Sequence, residues 1–153
     1  MIAKEFEDFL IGHLGTYLIP AKDLAIFIDS HNVEHVTLLL ANSGLSRVPV
    51  ITKTGHYVGT IALGDIMKYR NQYGLSSEQV AKLDIELMVD TRIPTVSDMA
   101  SLTEVMHKLV DTSFLPVLDK DGVMLGIITR KAILKAINSL LHDFTDHYEI
   151  QPK

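Results

Sequence analysis

The chain has 153 residues, 47% apolar and 22% charged, with a net charge of −5 and no cysteine. That length and balance suit one ordinary hydrophobic core and argue against wholesale disorder. The lack of cysteine excludes disulfides and thiolate metal sites, the acidic balance argues against a basic face for nucleic acid, and no apolar run approaches the roughly 20 residues of a membrane span. At the start, Lys4, Glu5, Glu7 and Asp8 are interleaved with apolar residues, which is not a secretory leader pattern, so the expected setting is the cytoplasm.

In chain order, Phe6, Phe9, Leu10 and Leu14 lie on one side of an amphipathic helix within residues 1–17. Leu18-Ile19 reads as a short strand. Asp29-Ser30 supplies helix-start chemistry ahead of the apolar stripe Val33, Val36, Leu39 and Leu40, and Asn42-Ser43-Gly44 marks the turn that follows. Arg47 to Ile61 reads as strand, Gly-bearing turn and strand, which is a hairpin. Asp65 to Tyr73 is helical, and Ser76-Ser77-Glu78 opens a short connecting helix.

The pattern then repeats. Leu87-Met88 stands for Leu18-Ile19, and Pro94 to Asp98 for Ala25 to Asp29. Leu102, Val105, Met106 and Leu109 form the second stripe, and Phe114 to Ile128 the second hairpin. Pro49 and Pro116, Gly55 and Gly122, and Gly59 and Gly126 are each 67 positions apart. A closing helix runs from Arg130 to Leu141, with Ile133, Leu134, Ile137, Leu140 and Leu141 on one side. The expected organisation is an N-terminal helix (1–17), a first module (18–73), a connection (74–86), a second module (87–141) and a C-terminal tail (142–153).

A β-α-β-β-α unit used twice, with Val48-Pro49-Val50 and Leu115-Pro116-Val117 followed by Gly59 to Asp65 and Gly126 to Ala132, resembles the CBS-domain pair, or Bateman module. The resemblance spans residues 18–141 and implies an α/β (α+β) fold, a tandem pair with pseudo-twofold symmetry and two clefts. In that family each cleft combines the first strand and the Pro-bearing strand of one module with the Thr-x-x-Asp segment of the other. The Thr hydroxyl and a helix start meet phosphate, and the Asp holds ribose hydroxyls.

Mapped onto this sequence, the first cleft takes Lys22, Asp23, Ala25, Phe27, Ser46, Arg47, Val48 and Pro49 with Thr129, Arg130 and Lys131. The second takes Arg92 to Val96 and Ser113 to Pro116 with Ala62 to Asp65. The first is rich in cations but carries Ala132 where the ribose-binding Asp belongs; the second keeps Asp65 but has Ala62 where Thr belongs. A ligand whose 3′ oxygens are esterified needs that carboxylate less, and Arg grips phosphate as a fork. Leu14-Gly15, Leu18-Ile19, Leu24-Ala25, Val33-Glu34-His35 and Gly126 to Lys131 with Leu134-Lys135 are similar to the small cyclic-di-AMP-binding CBS proteins of Gram-positive bacteria. That resemblance implies a non-catalytic receptor for cyclic di-AMP with no cofactor. It also implies a homodimer and a regulated partner enzyme in the stringent response.

An AMP, ADP or ATP sensor is the alternative ligand reading, and an interaction module without ligand the alternative class. Thr129-Arg130-Lys131 also reads as a helix cap with solvated charges, Asp65 as a helix-start residue, and Phe27 as core. His142, Asp143, Asp146 and His147 have metal-compatible spacing but read as a solvated helix end. No nucleophile elbow, P-loop or His-Glu-x-x-His motif is present, so no catalysis is expected.

Overall fold

Each Gly-punctuated stretch closes into an antiparallel hairpin, and the two hairpins meet turn to turn. The computed structural model describes residues 2–11 and 17–153; Leu14 and Gly15, used in the reading above, lie outside them. Strand β3 (Val48–Ile51) pairs with β4 (Tyr57–Ile61), and β6 (Phe114–Leu118) with β7 (Met124–Thr129). Gly55 and Gly122 turn the chain at φ 88° and 82°, a left-handed conformation that only glycine adopts cheaply. Tyr57 N–H donates to the Gly122 carbonyl and Met124 N–H to the Gly55 carbonyl, both at 3.0 Å. These bonds exchange under the 67-residue offset and mark the local twofold.

Helices flank the hairpins. Helix α2 (Val33–Ser43) starts at Asn32, whose side chain accepts from Glu34 N–H, and stops at Gly44 with φ 71°. Helix α5 (Leu102–Leu109) starts at Ser101, which accepts from Glu104 N–H. Both caps lie three residues beyond the expected Asp29 and Asp98, because those aspartates still pair by backbone with Ile51 and Leu118. Val33, Val36 and Leu40 are buried, while Leu39 of the expected stripe is exposed. Helices α3 (Leu63–Gln72) and α6 (Arg130–His147) close the modules, and α6 extends six residues past Leu141. Helix α1 (Lys4–Ile11) packs on α6, with the Phe6 and Phe144 rings edge to face at 4.9 Å. The short helix α4 (Ser77–Ala81) carries a capping box between Ser76 and Gln79.

The entry segments change partners. Strand β1 (Leu18–Pro20) leaves the first module and pairs antiparallel with β7, Leu18 opposite Ile128 and Pro20 opposite Gly126. The corresponding stretch of the second half, beyond the 3₁₀ turn Ile85–Met88, crosses to β4 through a single Thr60–Asp90 bridge. Strands β2 (Phe27–Ile28) and β5 (Val96–Ser97) stay home, each parallel to the Pro-bearing strand of its own hairpin. The cores follow the exchange: Ile85 and Met88 pack with Val36, Val50 and Ile61, and Leu10 and Tyr17 pack with Leu115, Val117 and Ile133. Gly59 and Gly126 make the exchange possible, since a side chain there would strike the carbonyls of Asp90 and Ile19.

Candidate functional site

Where an entry segment crosses to the other module it leaves a cleft beside the start of that module's closing helix. The first cleft, about 440 Å³, lies between Tyr17 and Ile19 and the opening turns of α6, at Thr129, Lys131, Ala132, Lys135, Ala136 and Ser139. The second, about 350 Å³, lies between Leu87 to Arg92 and Asp65, Lys68, Tyr69 and Gln72 of α3. Under the 67-residue offset Ala132, Lys135, Ala136 and Ser139 coincide with Asp65, Lys68, Tyr69 and Gln72. The two clefts are one architecture with different chemistry.

In the first cleft the Thr129 hydroxyl caps α6, accepting from Ala132 N–H at 3.1 Å. Arg130 N–H donates to the Ser113 carbonyl at 2.8 Å, and the start of α6, whose dipole favours an anion, borders the cleft at Thr129 and Lys131. Lys131 is exposed, and it and Lys135 stand one turn apart on α6. Neither makes an ion pair among the described residues. On their other side a wide groove of about 740 Å³ is lined by Ser113, Arg130, Leu134 and Asn138 as well as both lysines. Lys131, Lys135 and Ser139, at helix positions i, i+4 and i+8, therefore form a ridge with hollows on both sides.

The second cleft is filled by its own charges. The Arg47 guanidinium donates to Asp65 Oδ2 at 2.8 Å and to the Thr60 hydroxyl at 3.0 Å, and lies 4.0 Å from Asp90 Oδ2. Arg92 grips both oxygens of Asp90, at 3.1 and 3.0 Å. That hydrogen-bonded guanidinium holds the Asp90 carboxyl well below the ordinary range, at about 2. Asp65 also accepts from Ala62 N–H at 2.9 Å, so it serves the helix start from the third helical position. Nearby, burial and then the Asp90 charge push the Tyr57 phenol up to about 12, and its hydroxyl has no hydrogen-bond partner among the described residues.

The residues expected in the first cleft are not all gathered there. Lys22 and Asp23 are exposed in the 3₁₀ turn Ala21–Asp23 against β7, and Ala25 is exposed, level with Val48 in the parallel β2–β3 register. Ser46 is exposed, and the side chains of Val48 and Pro49 are buried in β3. Phe27 belongs to the first core, its ring 6.1 Å from that of His31, which leaves its face unavailable. The Arg47 guanidinium is in the second cleft. Residue 48 pairs with 61 in its own hairpin, so position 47 opens beside the start of its own closing helix, where two carboxylates compete for it. The same rule places Ser113 beside Arg130 and Lys131. Arg130 is largely committed to structure, donating to the carbonyls of Leu109 and Val110 at 2.8 and 3.1 Å at the end of α5.

Tyr17, Ile19 and Ser139 were missed as cleft residues, and Lys135 as part of the cation set. The helical repeat from Lys131 carried the signal for Lys135 and Ser139. Among the described residues no three His, Asp or Glu side chains converge as a metal site, and no helix is long and apolar enough to cross a membrane.

A family model described as the CBS domain matches residues 18–72 and 83–139. The crystal structure of CbpB from Streptococcus agalactiae is 59% identical, superposes with a TM-score of 0.95, and the match covers 99% of this chain and 96% of that one. A structure of CbpB in complex with c-di-AMP is likewise 59% identical, with a TM-score of 0.87 and coverage of 95% and 97%. Cyclic di-AMP receptor B of Bacillus subtilis is 27% identical over 141 residues, 90% of this chain and 95% of that protein.

Proposed function

This chain belongs to the CBS domain family, and we propose that within it the protein is a non-catalytic cytoplasmic receptor for cyclic di-AMP. The observation that carries the reading is the contrast between the clefts. The first has Ala132 and unpaired lysines where the second has Asp65 locked to Arg47. A carboxylate at position 132 would face the 3′ oxygens of the nucleotide. In a cyclic dinucleotide those oxygens are esterified, have no proton to donate, and lie beside a phosphate that repels an anion.

In this reading Thr129 and the first turn of α6 receive one phosphate, Lys131 and Lys135 neutralise its charge, and Arg130 sets the spacing of that turn against α5. Ala25, exposed and level with Val48, gives adenine access to strand backbone, and Lys22 adds charge at the rim. The complexed relative and the receptor from Bacillus subtilis support the choice of ligand. Calorimetric titration tests it: cyclic di-AMP should bind more tightly than AMP and be displaced by AMP only in large excess, and equal affinity for the two would overturn the reading.

We also propose a homodimer. Met67 on α3 and Leu134 on α6 are equivalent under the repeat and are 62% and 57% exposed, so each closing helix offers an apolar side chain to a second copy. Sedimentation equilibrium should give twice the chain mass. Ligand-dependent engagement of a partner enzyme is the output this reading assigns to the receptor.

A further inference from the structure

We infer that the second cleft is a fastening between the two modules rather than a second nucleotide site, so that the chain takes one ligand molecule; the count rests on the reading above, the fastening does not. The two seams have the same geometry but are held by different means. At the first, β1 lies along β7 as a ladder of three residue pairs. At the second, the entry segment's backbone pairing with β4 is the Thr60–Asp90 bridge, with hydrogen bonds of 2.9 and 2.8 Å. Upstream of the cleft the same segment is tied to the start of α2, Ile85 N–H donating to the His31 carbonyl and Glu86 N–H to that of Asp29; at the cleft itself, side chains add to the single bridge. Arg47 and Asp65 come from the first module, Asp90 and Arg92 from the entry to the second, and the chain of contacts runs Asp65, Arg47, Asp90, Arg92 across the seam.

The counterparts of Arg47, Asp65 and Asp90 in the other seam are Phe114, Ala132 and Ile19, none of which can form an ion pair. The cluster is also well placed to exclude ligand. Asp65, the residue positioned for ribose, has one oxygen accepting from both Arg47 and Ala62 N–H. Ala62 offers no hydroxyl at the helix start. A nucleotide entering here would have to displace Arg47 and leave Asp65 and Asp90 facing a phosphate. Removing one member of a partly buried charge pair strands the other, which is the costly direction.

The test uses the full chain. Hydrogen exchange is measured at the amides of Thr60 and Asp90, with Ile19 and Ile127 as references in the other seam. In Arg47→Met the first pair should exchange at least about tenfold faster while the references hold. Unchanged exchange at Thr60 and Asp90 overturns the fastening. Should Arg47→Met not fold, Asp90→Asn removes the opposite charge of the same pair with little change of shape and must give the same result. Separately, the wild-type protein saturated with cyclic di-AMP is titrated with AMP and with more cyclic di-AMP. No second binding heat is expected; a second equivalent that disappears in Asp65→Asn overturns the inference. If cyclic di-AMP does not bind at all, the proposed function falls and the exchange experiment alone decides the fastening.

Discussion

Arg47 and Asp65 meet at 2.8 Å, at the two positions where the other half of the repeat has Phe114 and Ala132. One pair of substitutions thus separates a cleft closed on its own charges from a cleft open to a ligand's.

Acid should loosen the second seam. An unfolded carboxyl titrates near 3.8 and Asp90 in the fold near 2, so its contribution is present above the first value and is lost as pH falls toward the second. Thermal midpoints followed between about pH 5 and pH 2 should drop more steeply for the wild type than for Asp90→Asn. Parallel curves would show that the carboxylate carries no such linkage.

Placing a carboxylate in the first cleft should invert its preference. Ala132→Asp is expected to weaken cyclic di-AMP by about tenfold or more, a change of roughly 1.4 kcal/mol, while strengthening AMP, whose free hydroxyls an aspartate can accept. Competitive calorimetry reads both. A variant that weakens the two ligands equally would point to simple steric damage.

Lys131→Met and Lys135→Met should each reduce affinity for cyclic di-AMP, by about 1.5–3 kcal/mol where the lysine bonds phosphate directly. Both should flatten the salt dependence of binding, and neither should move the melting temperature much, because neither lysine is buried or ion-paired. A retained salt slope in both variants would place the phosphate elsewhere.

Gly126→Ala should destabilise the fold by about 1–3 kcal/mol, since its methyl would meet the Ile19 carbonyl across the β1–β7 ladder. Urea unfolding measures the loss. Gly64→Ala, where the added methyl meets nothing, is the neutral control.

Much of the fold was legible because glycine and proline punctuate it. Gly55 and Gly122 turn the hairpins, and Gly59 and Gly126 admit the crossing segments, so the residues that exposed the repeat are those with a backbone reason to recur. The helix starts were placed three residues early, since Asp29 and Asp98 resemble caps locally yet remain in the sheet. Thr129 and Lys131 could be placed beside a helix start from sequence because that relation is local. The direction of Arg47 could not be, because it depends on the hairpin register that sets it against Thr60 and Asp65, and on Asp90, a residue brought in from the other half only by the exchange of entry segments. Phe27 presented the same difficulty: a stacking ring and a core ring look alike until the neighbours are known.

The exchanged entry segments also bear on how the chain is made. On the ribosome, Leu18–Pro20 emerges long before Gly126–Ile128, the residues it pairs with, and Ile61 is synthesised before Ile85 and Met88 can cover it. The N-terminal half must therefore wait, incompletely sheeted, for the C-terminal half. A chain split between Gly74 and Asp84 would yield two fragments that need each other to fold, which makes this protein a natural candidate for fragment complementation.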